Sequence, residues 1–150
     1  MGRRTKAREC ALQMLYQWEI TREPMERVAA SFWKVRTTTE QTMARAERLA
    51  TGAQSRIETI DAAIAAAATH WRLDRLAAVD LCILRIGAYE LMAEPATPAA
   101  VVLDEAVEMA KRFGEAETPS FVNGVLDAIK RRVREGPPAA EPVVKAKGAP

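Results

Sequence analysis

Side-chain chemistry needs a helper group at a workable spacing, and this chain supplies few such pairs. Its one histidine, His70, closes an alanine-rich stretch beside Trp71, with no obvious partner to activate it. Cys10 and Cys82 lie far apart in sequence on apolar faces, and neither CxxC nor HExxH spacing occurs, so both thiols read as core rather than as metal ligands. No GxxxxGK[ST] or GxGxxG loop is present to cradle phosphates, and no GxSxG elbow presents a serine. Asp104 and Glu108 share a helix face, where an i,i+4 carboxylate pair is ordinarily solvated surface. The chain therefore reads as a non-enzyme with no cofactor and no metal.

Binding is a better fit to the remaining residues. Arg3, Arg4, Lys6 and Arg8 at the start stand against the single acid Glu9, and Lys130, Arg131, Arg132 and Arg134 stand against Glu135. The formal net charge of +2 thus hides basic ends flanking a mildly acidic body. Such clusters are the electrostatic footprint of phosphate binding, although a short basic run is also an ordinary solvated helix end. Aromatic candidates accompany them. On a helix carrying Ala7, Met14 and Trp18 on one face, Leu12 and Tyr16 fall off the stripe, so Tyr16 is either an exposed ring or packs with Leu12 on a second neighbouring helix. Phe121 lies at the edge of an apolar stripe, free to hold the core or to stack a base. Asn123 could read a base edge or hydrogen-bond near its helix start.

These residues need elements to position them, and the spacing predicts helices throughout. Residues 5–20 form an amphipathic helix, and Pro24 opens a second that runs to about Val35. Thr37 with Glu40, and Thr38 with Gln41, offer two capping boxes for a third helix to about Thr51, where Gly52 marks a break or weak point. A further helix runs through Ile57, Ile60 and Ile64. Residues 75–92 are apolar nearly all round and mark a central helix enclosed by others. Thr97-Pro98 and Thr118-Pro119 each read as an N-cap followed by a first-turn proline, with Gly114 ending the helix between them. No period-2 run suggests a strand.

With 49% apolar and 28% charged residues, the chain is expected to fold as one domain over 1–136, followed by a disordered Pro/Ala/Lys tail over 137–150. Two cysteines cannot build a disulfide framework, which suits a reducing cytoplasm. No apolar run reaches the length of a membrane span, the start lacks the apolar core of a secretory signal, and Glu9 with no serine before Ser31 argues against a transit peptide.

Three blocks carry a resemblance: RRTKARECALQMLY over residues 3–16, LRIGAYEL over 84–91 and FVNGVLD over 121–127. In this order and spacing, with VLDEAVEMAKRFG over 102–114 between the last two, the chain resembles the bacterial NusB family of transcription antitermination factors over about residues 3–134. The resemblance implies an all-α fold of about seven helices in two packed subbundles. It also implies binding of the boxA element of nascent ribosomal RNA transcripts jointly with NusE, a ribosomal protein, within an antitermination complex that engages RNA polymerase. The basic start maps to Arg3, Arg4, Lys6 and Arg8, and the family's RNA-facing aromatic maps to Phe121. Tyr16 matches a functionally sensitive tyrosine, and Glu117 stands where the family has an aspartate. Asp80 matches an acidic position on the face that meets NusE, and Arg85 and Tyr89 on the same helix are assigned with it to that partner face. A homodimer of the free chain is an open alternative occupant of these faces. The runner-up function is the RNA-docking NusB-like domain of a ribosomal RNA cytosine methyltransferase, which would require the sequence to be a fragment.

Overall fold

Helix boundaries follow from local hydrogen bonding, and they differ in detail from the capping signals in the sequence. In a computed structural model that describes residues 2–136, seven α-helices and one short 3-10 turn account for the secondary structure, with no strand among the described residues. The expected tail over 137–150 lies outside the described residues. The helices are α1 (Arg3–Thr21), α2 (Met25–Lys34), α3 (Glu40–Ser55), α4 (Ile57–Ala67), α5 (Ala78–Ala93), α6 (Ala99–Phe113) and α7 (Thr118–Arg134), with the 3-10 turn over Leu73–Arg75.

Of the three threonines before α3, it is Thr39 that caps. Its Oγ1 accepts the Thr42 amide at 3.1 Å, so neither expected capping box, from Thr37 or Thr38, is used. Gly52 does not break α3, which runs to Ser55 and ends where Arg56 leaves helical geometry. The Thr-Pro pairs also shift by one residue. Pro98 is itself the N-cap of α6, with Thr97 buried behind it, and Glu117 precedes α7, making Thr118 its first residue. Gly114 does close α6, its amide bonding the Ala110 carbonyl at 2.9 Å.

Two subbundles result. Helices α1, α2 and α3 pack on one another, and α4, α5, α6 and α7 form the second group. The link is α5, which also packs on α1 and α3 and has every residue from Leu81 to Leu91 buried. That enclosure is what its all-round apolar pattern requires. Gly52 on α3 meets Tyr89 on α5, and a Cβ there would fall within 2.6 Å of the tyrosine ring and hydroxyl. Close approach of helix to ring, rather than a turn, is the reason for glycine at this position.

Candidate nucleic-acid interface

The first turns of α1 split the basic cluster into two kinds of cation. Arg3, Arg4 and Lys6 face solvent. Arg8 does not: it is 2% exposed, with Nε and Nη2 donating to the two Glu90 carboxylate oxygens at 2.7 and 2.8 Å. The expectation that Arg8 joins the others as a free cation is therefore corrected. Helical periodicity places it on the same side as Ala7 and Ala11, against α5, and the buried Glu90 needs a charged partner there. Burial works against the guanidinium's charge, but Glu90, with Glu105 behind it at 3.6 Å, more than offsets this and holds the proton more tightly than usual. Thr5 Oγ1 donates to Glu105 at 2.8 Å and fastens the same turn to α6.

Beside this anchor the exposed arginines border a recess. Arg3 hydrogen-bonds Gln41 at the start of α3, and Arg3, Arg4, Gln41, Thr42 and Arg45 line a cavity of about 230 Å³. Arg45 sits 3.5 Å from Glu90 and 3.6 Å from Glu94, while its Nε and Nη2 are buried without a hydrogen bond. Burial lowers its pKa despite those acids.

The opening of α7 forms a second locus. Phe121 is half-buried against the core and meets Trp71 edge-on, ring centroids 5.2 Å apart. Sequence reasoning noticed Trp71 only as a neighbour of His70. The pair is non-local, so no periodicity could signal it. Glu117 and Asn123 are exposed on either side of Phe121 in sequence, Asn123 bordering a shallow groove of about 480 Å³ with Ser120 and Lys111. Thr118 Oγ1 accepts the Glu115 amide at 2.9 Å and donates to Asp80 at 3.3 Å, tying the start of α7 to the start of α5. Burial pushes the Asp80 carboxyl above its ordinary range, Thr118 partly opposing and Glu115 adding to the rise.

The two loci are not one contact surface. Arg8 meets α5 at Glu90 and Thr118 meets it at Asp80, about ten residues or ~15 Å along the helix. Arg112 near the end of α6 pairs with Glu9 on α1, one position from Arg8. Tyr16 is 43% exposed on α1, whereas Leu12 is buried at 2%. Packing on a neighbouring helix thus claims Leu12 and leaves the ring in solvent.

The helix expected to face a protein partner is mostly inaccessible. Arg85 is held between Asp61, at 2.9 and 2.8 Å, and Glu19, at 2.7 Å, and Tyr89 is buried under α3 with its hydroxyl toward Glu94. The assignment of Arg85 and Tyr89 to a partner face is corrected, because both lie in the stretch of α5 from Leu81 to Leu91 that is buried throughout. Asp80, half-buried in the first turn of α5, keeps partial access. The C-terminal cations are likewise partly committed. Lys130 and Arg131 pair with Asp127, and Arg134 donates to the Glu90, Leu91 and Glu94 carbonyls that end α5. Both cysteines are buried, and burial pushes the Cys82 thiol up to about 12. No group of three His, Cys, Asp or Glu among the described residues is placed to hold a metal, and no described helix is long and apolar enough to cross a membrane.

This architecture recurs in known proteins. The chain is 47% identical over 129 residues to the transcription antitermination protein NusB of Sorangium cellulosum, covering 86% of this chain and 92% of that protein. It is 42% identical over 133 residues to the protein of the same name from Koribacter versatilis, covering 88% and 91%. Among solved structures it is similar to T. maritima NusB, with a TM-score of 0.79 and 31% identity over 94% of this chain and 96% of that one. A structure of the antitermination factors NusB and NusE in complex with double-stranded RNA matches with a TM-score of 0.79 and 29% identity, covering 87% of this chain and 98% of that one. The family model described as the NusB family matches residues 5–131, and with these relatives the chain belongs to that family.

Proposed function

We propose that this chain is a cytoplasmic, non-enzymatic antitermination factor that binds single-stranded boxA RNA of nascent ribosomal RNA transcripts together with NusE, as part of a complex with RNA polymerase. The observation that carries the reading is the division of labour on α1: Arg8 locks the helix to the body, while Arg3, Arg4 and Lys6 stay in solvent, Arg3 and Arg4 bordering a recess of about 230 Å³. These three cations neutralise phosphates and release counterions. The strand then runs along α1, past Tyr16, toward Glu117, Phe121 and Asn123, where a ring and hydrogen-bonding groups meet bases. Asp80, exposed in part at the first turn of α5, borders the protein partner.

The solved complex of NusB and NusE with double-stranded RNA among the structural relatives supports RNA and NusE as partners, and the name shared by the sequence relatives supports antitermination. The Sorangium protein is matched over 92% of its length, which leaves no room in it for an appended methyltransferase domain and favours antitermination over the docking-appendage alternative.

Anisotropy titration of boxA and scrambled RNA, with and without NusE and across ionic strength, tests it. Preference for boxA that strengthens when NusE is present is the expected result. Equal affinity for both RNAs with NusE bound would overturn the reading.

A further inference from the structure

Trp71 is 57% exposed, although the loop that carries it is well anchored. Its amide donates to the Ala68 carbonyl at 3.0 Å, and Leu73 and Leu76 on the following turn pack against the core. The loop thus packs its two leucines, half-buried, against the core and holds its largest apolar side chain outward, forgoing the free energy that burying an indole would supply. A single exposed ring needs no explanation, but this one is paired. Phe121 meets it at an interplanar angle of 62°, and an edge-on contact leaves both faces of one of the two rings uncovered by the other. Phe121 in turn is fixed by its amide, which donates to the Glu117 carbonyl at 3.2 Å. His70, Arg72 and Arg75 are exposed in the same loop, Arg72 sharing its charge with Asp74 at 2.8 Å.

We infer that Trp71 and Phe121 form a composite stacking platform for an unstacked RNA base, with Trp71 supplying the outer ring. The inference rests on the RNA reading above and adds a base-contacting residue to it. Two rings anchored on separate elements, α7 and the loop before α5, make a rigid corner. A flat heterocycle entering that corner stacks on one ring and touches the edge of the other. The basic residues of the loop favour a polyanion's backbone beside the rings, which an apolar protein segment would not use. Glu117, one turn before Phe121, adds an acceptor for an exocyclic amine, so the favoured base is one that carries an amino group.

The experiment compares the full chain with Trp71→Ala and Trp71→Phe on boxA RNA and on a series of the same RNA with one abasic site at each position. Trp71→Ala is expected to weaken binding roughly five- to 150-fold, the range for one stacked base, with the salt slope unchanged because no charge is removed. Trp71→Phe restores most of the affinity, and at one abasic position the alanine variant loses nothing further. Unchanged affinity in Trp71→Ala, while alanines at Arg3, Arg4 and Lys6 weaken binding, overturns the platform and leaves the RNA reading standing. Loss of NusE binding with RNA affinity intact overturns it in favour of a protein contact. Failure of the unaltered chain to bind RNA at all defeats both.

Discussion

Arg8 on α1 and Glu90 on α5 form a two-pronged ion pair, at 2.7 and 2.8 Å, with each side chain 2% exposed. The pair joins the two subbundles at the point from which the solvent-facing cations extend. Removing one member leaves the other charged and buried. Arg8→Ala is therefore expected to destabilise the fold by about 3–5 kcal/mol, whereas Arg3→Ala stays within about 0.5 kcal/mol of the parent. Urea unfolding of the two variants checks this, and equal midpoints would contradict the distinction between anchor and arm.

The exposed cations carry the opposite signature. Replacing Arg3, Arg4 and Lys6 by alanine should lower RNA affinity and flatten its dependence on salt, by a slope of about 0.7 for each phosphate that is no longer neutralised. Circular dichroism of the triple variant should match the parent. A steep salt dependence that survives the substitution would assign phosphate binding to other residues.

Gly52 and Tyr89 offer a packing test. An added methyl at Gly52 gains about 1 kcal/mol of helix propensity, but it must displace a ring and hydroxyl within 2.6 Å, and overpacking of this kind costs about 1–3 kcal/mol. Gly52→Ala is expected to be a net loss, smaller in a Tyr89→Leu background where the ring is gone. A thermal-melting double-mutant cycle reads the coupling, and additive effects would mean that the ring yields freely.

Asp80 links stability to pH. Burial first, and Glu115 after it, raise the carboxyl pKa of the folded state above the ordinary value of 3.8, against the opposing hydrogen bond from Thr118. The folded state then binds its proton more tightly than the unfolded chain, so this group's contribution falls as pH rises from 3.8 through the raised value. Asp80→Asn keeps an acceptor for Thr118 and removes the charge. It should leave stability at neutral pH unchanged or improved and remove the fall in stability that begins as pH rises above 3.8. A marked loss at neutral pH would show that the charge itself holds the start of α7.

The helices were legible in the residues because their causes are local. Apolar spacing near 3.6 gives α1 and α7, and a segment apolar on every side, 75–92, announces the enclosed α5. The caps were only approximately legible. Thr37, Thr38 and Thr39 all have the right chemistry, and which hydroxyl reaches an amide depends on where the chain enters the helix. Charge type was legible too, but not charge use. Arg3 and Arg8 are the same residue five positions apart, and what separates them is that α5 brings Glu90, 82 positions away in sequence, against one and not the other. The same holds for Arg85, enclosed by Asp61 and Glu19 from two other helices, and for Trp71, whose meaning depends on Phe121 arriving from α7. Periodicity reports which face of an element is apolar. The partner that face meets is set by how the helices stack, and so only the tertiary structure decides which polar groups are spent inside and which remain for a ligand.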